Sequence, residues 1–309
     1  MRDTLTDIFN LLDLQSARCT RLEAAGAWSL RFPGKAAIKF AAVLRGRCWM
    51  VHDGQPIRLE QGDAFLLTHS PAYVLASDPG LPSVDGTRVI DWAQSDTGRY
   101  GGGDDVVLIA GSFAINPLHR QVLAQALPAQ MVIPRDAPSA PILARTLQIM
   151  EQEFAEPGFG ARLMRHHLAD ILLVQLLRAF SQREARLMDE GGQGGWIGAL
   201  AHPRLGTVLD AIHGEPERKW TVRMLAERAG MSRSAFADAF RDATGATPMD
   251  YLLRWRMQLA EDLLDKGRSV AQVASELGYA SQSAFGVAFR RVKGCSPKAS
   301  LHAKARIEG

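Results

Sequence analysis

One pattern occurs twice in the last third of the chain. Residues 231–245 read MSRSAFADAFRDATG and residues 280–294 read ASQSAFGVAFRRVKG. A single offset of 49 residues superposes Ser232 on Ser281, and with it Ser234 on Ser283, Ala235 on Ala284, Phe236 on Phe285, Phe240 on Phe289, Arg241 on Arg290, Gly245 on Gly294 and Pro248 on Pro297. A register held that long marks a duplicated structural unit. In each copy the phenylalanines stand four residues apart, so Phe236 and Phe240, like Phe285 and Phe289, share one helix face and can bury it. The segments before them, TVRMLAERAG and SVAQVASELGY, predict short helices opened by Thr221 and Ser269 as caps and closed by Gly230 and Gly278. Helix, tight turn and Ser-capped helix make a helix-turn-helix, here present twice.

Each unit ends on a glycine, Gly245 or Gly294, followed by Thr247-Pro248 or Ser296-Pro297, which supply a cap and a first-turn proline for the next helix. Between the units, TPMDYLLRWRMQLAEDLLDKG predicts one amphipathic helix with Leu252, Trp255, Leu259 and Leu263 along its apolar stripe. Its roughly 18 residues at 1.5 Å each span about 27 Å, close to the ~34 Å between successive major-groove faces of duplex DNA. A spacer of that length can set two second helices into adjacent grooves. Charge is distributed to match. From Ala199 onward there are 17 Lys plus Arg against 12 Asp plus Glu, whereas the rest holds 19 against 21. The basic excess sits with the repeat, as a phosphate-binding surface requires.

The stretch from GWIGALAHPRLGTVLDAIHG through GYASQSAFGVAFRRVKGCSPKA resembles the DNA-binding domain of the AraC/XylS transcription regulators over about the last third of the chain. The earlier stretch LRFPGKAAIKFAAVLRGRCWMVHDGQPIRLEQGDAFLL is similar, through its glycine and Gly-Asp corners, to the cupin-type sensor domain that precedes it in one subgroup of that family. The resemblance implies an α+β multidomain chain. A cupin-like β-barrel that senses a ligand is expected over residues 1–138, a helical linker and dimerisation region over 139–190, and an all-α domain with two helix-turn-helix motifs over 199–303. It further implies a sequence-specific DNA-binding transcription regulator that responds to a small-molecule effector in the barrel. Its partners would be double-stranded DNA, a second copy of the chain held through the helices between Pro141 and Leu187, and RNA polymerase if the outcome is activation.

With Phe236 and Phe240 inward, a helical wheel puts Ser234, Asp238 and Arg241 on the opposite face, and Arg233 in the exposed first turn. Arginine matches guanine's two acceptors, so Arg233 reads a base or holds a phosphate, while Arg241, further along, is placed at phosphate. Asp238 can accept from cytosine's amino group or pair with Arg241 three residues on; repulsion by phosphate favours the pairing. In the second helix the same wheel exposes Ser283, Val287, Arg290 and Arg291, with Gln282 in the first turn. Gln282 suits adenine and Val287 a thymine methyl. Arg290, Arg291, Lys293 and Lys298 form the densest basic cluster near either helix and are assigned to phosphate, although a solvated helix end favours cations anyway. Many relatives resemble one another in carrying Glu where this chain has Ala280 and a charged residue where it has Val287. Base contacts at those two positions therefore do not carry over from the resemblance.

Ahead of the repeat, residues from about 28 to 89 are short apolar segments cut by turn residues, which suggests a sandwich or small barrel. VHDGQPIRL supplies the hairpin signal Asp53-Gly54, and LEQGDAFLL a second Gly-Asp corner. DTGRYGGGDD at 96–105 has the composition of a flexible loop, after which VVLIAGSFAI returns to strand. Leu5, Ile8, Leu11 and Leu12 share one helical face at the start. From Ala140 the period becomes helical, with Ile142, Leu143, Leu147, Met150 and Phe154 in one helix and residues 161–187 in another. DEGGQGGWIG then has the composition of a linker, with a domain boundary between Met188 and Ala199.

Cupins that are enzymes usually carry a His-x-His pair with further His and Glu ligands, because a divalent metal needs several donors converging on open coordination sites. No such pair occurs here. His52 and His69 are isolated, His119 follows Pro117, and His166 and His167 are consecutive helix residues pointing about 100° apart. No metal, cofactor or catalytic residue is expected, and the glycines match no phosphate loop or nucleotide fingerprint. Trp49, His52, His69 and Tyr73 are the polar-tipped candidates for an effector pocket. Two alternatives stand beside this reading: a metal-dependent cupin oxygenase fused to a DNA-binding tail, which metal analysis would expose, and an effector-independent DNA binder with an inert barrel. Cys19, Cys48 and Cys295 form no C-x-x-C pair and are expected as reduced thiols. The longest apolar run, ILLVQLL at 171–177, is far short of the roughly 20 residues of a membrane span. Asp3, Asp7 and Asp13 stand where a secretion signal would want positive charge, so a cytoplasmic protein is expected.

Overall fold

Alternating apolar residues in the first half of the chain build eleven strands among the described residues of the computed structural model. Described are residues 15–34, 37–68, 72–89, 95–114, 127–192 and 194–300, with Thr4 and Thr6. The opening amphipathic turn (Leu5, Ile8, Leu11, Leu12), His69 and His119 lie outside them. The chain divides into two compact units, Leu12–Phe180 and Ser181–Gly309 with Met1–Leu11.

The strands of the first unit are β1 (Gln15–Ala24), β2 (Ser29–Phe32), β3 (Ala37–Arg45), β4 (Arg47–His52), β5 (Gln55–Glu60), β6 (Ala64–Leu67), β7 (Tyr73–Ala76), β8 (Val84–Asp85), β9 (Thr97–Tyr100), β10 (Val106–Ala114) and β11 (Gln130–Ile133). They form a six-stranded sheet in the order β11-β6-β3-β10-β1-β9 and a five-stranded sheet in the order β5-β4-β7-β2-β8. Ala41, Val43, Phe65, Leu67 and Leu108 of the first meet Leu30, Met50, Leu59, Tyr73 and Leu75 of the second in one core. A barrel was one expectation; the described strands instead form two open sheets stacked in the jelly-roll manner of a cupin-like domain. One edge of each sheet is a short strand, β8 of two residues and β9 of four.

The β4–β5 hairpin turns on Asp53 (φ 49°) and Gly54 (φ 72°), both in the left-handed region that a two-residue type I′ turn needs. The segment expected as a flexible loop differs in its first half. Thr97–Tyr100 is β9, parallel to β1, and the Arg99 Nε to Glu23 Oε2 contact of 2.8 Å ties it to that neighbour. Backbone pairing to an open sheet edge overrides a composition of Gly, Thr and Asp.

Helices α1 (Ala140–Ala155) and α2 (Ala161–Asp189) follow. Arg21 of β1 reaches Glu151 of α1 at 3.2 Å, and Gln175 of α2 donates to Thr146 Oγ1 at 3.0 Å. The Gly-rich stretch expected as a linker is short: α2 continues to Asp189, and α3 (Gly195–Ala201) begins within the stretch with Trp196 and Ile197 buried. Among the described residues the regular elements of the second unit are helices, continuing with α4 (Pro203–Gly214), α5 (Val222–Arg228), α6 (Arg233–Thr244), α7 (Pro248–Asp265), α8 (Val270–Glu276) and α9 (Gln282–Lys293).

Candidate nucleic-acid interface

Each helix of the repeat starts where a hydroxyl can satisfy its free amides. Thr221 Oγ1 accepts from Met224 N at 3.2 Å, Ser232 Oγ from Ala235 N at 3.3 Å, and Ser281 Oγ from Ala284 N at 3.1 Å. Ser269 and Gln272 form a reciprocal capping box. Gly245 (φ 69°) and Gly294 (φ 76°) end α6 and α9 in the left-handed conformation. The four repeat phenylalanines are fully buried, with ring centroids 5.5 Å apart in the first pair and 5.7 Å in the second. α7 serves both helix-turn-helix motifs. Leu252 and Trp255 are buried toward its start, while Met257, Ala260 and Leu264 join Val273, Leu277, Phe285 and Phe289 in the second core. Leu259 and Leu263, expected on the apolar stripe, are only partly buried at its margin.

Anchoring by the phenylalanines leaves one polar face of each second helix in solvent. On α6 that face carries Arg233, Ser234, Asp238 and Arg241, all exposed, and Arg241 Nη2 meets Asp238 Oδ1 at 2.7 Å. On α9 it carries Gln282, Ser283, Val287, Arg290 and Arg291, with Val287 73% exposed. An apolar side chain that open is unusual in a helix otherwise so well anchored. The remaining basic residues divide. Arg291 lies 3.8 Å from Asp250 at the start of α7. Lys293 turns back to α7, its ammonium donating to Glu261 Oε2 at 2.6 Å and Gln258 Oε1 at 3.2 Å. Lys298 is exposed beyond α9.

Sequence reasoning missed Arg256. Its guanidinium donates to the carbonyls of Pro216 (2.5 Å) and Arg218 (2.9 Å) and lies over the Tyr279 ring at 5.6 Å. It thereby joins the loop entering the first helix-turn-helix to the turn of the second. The available signal was a charged residue between two core positions, Trp255 and Met257.

A second unforeseen feature is a buried polar chain beneath the first helix-turn-helix. Trp196 Nε1 donates to the Tyr251 hydroxyl at 2.9 Å, which shares a hydrogen bond of 2.8 Å with His213 Nε2, and the imidazole stacks on Trp255 at 3.9 Å. Burial pushes the His213 pKa down from 6.5 to about 3. Above pH 6.5 the ring is neutral whether the chain is folded or not; between 6.5 and about 3 only the unfolded chain takes the proton. Stability from this site is therefore complete above 6.5 and lost as pH falls, by about 1.4 kcal/mol per unit. Urea midpoints measured from pH 7 to 5 are expected to fall more steeply for the wild type than for His213→Gln. Parallel curves would mean the ring is not held neutral.

At the other end of the chain, β4 alternates, so the expected effector residues do not share a face. His52 and Tyr73 are cross-strand partners facing inward; His52 Nδ1 meets Gln130 Oε1 at 2.9 Å, and Tyr73 stacks on Phe32 with Lys39 Nζ 4.9 Å above its ring. Trp49, an odd number of residues from His52, faces outward. Among the described residues no three His, Cys, Asp or Glu side chains are grouped to hold a metal, and no helix is long and apolar enough to cross a membrane. Cys19 and Cys48 are buried free thiols, and Cys295 is partly exposed.

Comparison with known proteins agrees with this division. Residues 3–182 match a family model described as cupin, and residues 225–302 one described as a helix-turn-helix domain. The chain is 38% identical over 298 residues to a putative AraC-like transcription regulator of Streptomyces lividans, covering 96% of each chain. It is 35% identical over 298 residues to another from Streptomyces antibioticus, covering 96% of this chain and 97% of that one. Among solved structures, the DNA-binding domain of AdpA, a global transcriptional factor, in complex with a target DNA is 38% identical over 34% of this chain and 95% of that chain, with a TM-score of 0.32.

Proposed function

Since the chain belongs to the AraC-like transcription regulators that carry an N-terminal cupin domain, we propose that it regulates transcription by setting α6 and α9 into two consecutive major-groove segments of double-stranded DNA. The observation that carries this is the pair of Ser-capped helices, each anchored by two fully buried phenylalanines and each presenting an open polar face. Arg233, Ser234, Gln282, Ser283 and Val287 are assigned to base edges, and Arg241, Arg290, Arg291 and Lys298 to phosphates. Asp238 acts through Arg241, whose guanidinium it orients at 2.7 Å. Lys293 is left out because Glu261 and Gln258 hold its ammonium.

The cupin unit is read as a sensor: a small effector bound there shifts the population of DNA-binding-competent states. Self-association through α1 and α2 is supported by exposed apolar side chains at helical spacing, Ile142 and Ile149 on one and Met164 and Ile171 on the other. The protein would act in the cytoplasm as a homodimer, with RNA polymerase as a further partner if it activates. No catalytic role is assigned to any residue.

Selection of bound sequences from a random pool, followed by salt titrations, tests the assignment. Replacing Arg233 or Gln282 by Ala is expected to relax base preference at one position each, at about 1–3 kcal/mol of discrimination. Replacing Arg290 or Arg291 is expected to weaken binding to all sequences and lower the salt slope by about one unit. A Gln282→Ala protein that selects the wild-type sequence would remove α9 from base reading.

A further inference from the structure

The second helices of the two helix-turn-helix motifs are not equivalent. The 49-residue offset puts Val287 where α6 has Asp238, Gly286 where it has Ala237, and Arg290 where it has Arg241. On α6 the carboxylate occupies its arginine, with Asp238 Oδ1 2.7 Å from Arg241 Nη2. On α9 that carboxylate is gone. Arg291 and Lys293 have acidic partners, and Arg290 has none among the described residues. A carboxylate and a guanidinium that hold each other are replaced by a branched apolar side chain beside an unpaired guanidinium.

Val287 is the centre of the outward face of α9. At about 100° per residue it lies about 160° round the helix from Phe285 and from Phe289, both fully buried. Ser283, Gly286, Arg290 and Arg291 surround it at helical spacing. It is 73% exposed and stands outside the core built by α7, α8 and α9. Packing does not account for Gly286 either. A glycine inside a helix weakens it, and a Cβ here would meet nothing within 4 Å. Both residues suit a helix that approaches a surface closely: the glycine thins its outward face, and the valine presents two methyl groups and no hydrogen-bonding atom.

We propose that Val287 seats the 5-methyl group of a pyrimidine in the major groove, so that α9 accepts either thymine or 5-methylcytosine at one base pair. An unmethylated cytosine there is bound weakly, which makes the methylation state of the DNA a control on binding. The inference rests on the groove reading of α9 and adds to it the chemical group that is read and a means of regulation. Thymine carries a C5 methyl that cytosine lacks, and 5-methylcytosine supplies the same group. Valine cannot tell the O4 acceptor of thymine from the N4 donor of cytosine, and the Ser283 hydroxyl one turn away both donates and accepts. The methyl is the distinguishing group that remains. At the same place α6 carries the charged Asp238, so methyl groups in the segment it covers are the internal control.

The test takes the full-length protein and a duplex obtained by selection from a random pool. Each thymine in the segment whose base preference Gln282→Ala relaxes is replaced in turn by uracil, which removes one methyl group and nothing else. At one position the change is expected to weaken wild-type binding about fourfold, the effect of one buried methyl. At that pair 5-methylcytosine–guanine is expected to bind about fourfold tighter than cytosine–guanine. Val287→Ser, at an exposed position and with an unchanged urea midpoint, is expected to bind the thymine and uracil duplexes alike. Val287→Asp is expected in addition to weaken binding to every duplex, because it gives Arg290 the partner that Arg241 has. Methyl effects in the segment covered by α6 are expected to be the same in both variants as in the wild type. The proposal is overturned if no thymine methyl in the α9 segment matters, if Val287→Ser keeps the methyl effect, or if 5-methylcytosine binds no better than cytosine. Each of those results leaves the groove reading standing as long as Gln282→Ala relaxes a base preference. A protein that selects no sequence, or one whose selected sequence Gln282→Ala leaves unchanged, removes that reading and the proposal together.

Discussion

Phe285→Ala is expected to lower the folding free energy of the helical unit by about 3–5 kcal/mol and to shorten the DNA footprint to the segment read by α6. Phe285 has no exposed surface, packs 5.7 Å from Phe289 and 5.5 Å from Tyr279, and sits in the cluster built by α7, α8 and α9. Truncating it removes the apolar area that holds α9 in place and leaves a cavity between helices that cannot collapse without moving that helix. Against a typical domain stability of about 5–15 kcal/mol the loss is severe without being certain to unfold the chain. Phe236→Ala is the matched control, since the 49-residue offset puts the same side chain at the same place in the first unit. Urea unfolding followed by circular dichroism gives the stability loss, and footprinting under conditions where each variant is folded shows which segment is given up. A folded Phe285→Ala protein that still protects both segments with unaltered affinity would remove α9 from DNA recognition.

The parts of this architecture legible in sequence are those set by local chemistry. Hydroxyl caps at Thr221, Ser232, Ser269 and Ser281, stops at Gly245 and Gly294, and phenylalanines four apart each act within a few residues. The Asp53-Gly54 hairpin is legible for the same reason. What the sequence concealed depends on partners far along the chain. β9 exists because β1 offers it an edge and Glu23 a counter-charge. The buried line on α7 shifts from the expected Leu259 and Leu263 to Met257, Ala260 and Leu264 because one helix is packed from different sides by two units. His213 carried no local mark of its burial, and neither did the turn of Lys293 back onto α7; Tyr251, 38 residues on, and Glu261, 32 residues back, decide them. Trp49 and His52 share a chemical type, but the two-residue period of a strand places them on opposite faces.

Gly278→Ala is expected to uncouple the two helix-turn-helix units, and comparison with Gly230→Ala separates the cause. Both glycines close the first helix of their unit with positive φ, +62° at Gly230 and +75° at Gly278, so both substitutions carry the left-handed strain of about 1–2 kcal/mol. Their surroundings differ. A Cβ on Gly230 meets nothing within 4 Å, whereas one on Gly278 would stand 2.0 Å from the Glu217 carbonyl oxygen. That obstacle is backbone, held on either side by the bonds from Arg256 to Pro216 and Arg218, so it cannot swing aside as a side-chain tip would. Accommodating the methyl means parting the 215–219 loop from the turn that carries Tyr279. That contact ties the two helix-turn-helix motifs together beside the rigid rise of α7, and helps to set the angle at which α9 follows α6. Gly230→Ala should therefore lose about 1–2 kcal/mol of stability and keep the wild-type dependence of binding on the spacing of the two DNA segments. Gly278→Ala should lose several kcal/mol and, where folded, tolerate segments moved by one or two base pairs that the wild type rejects. Binding measured on a series of spaced sites, alongside urea midpoints, reads both effects. Equal losses for the two variants with an unchanged spacing preference would show that α7 alone sets the angle.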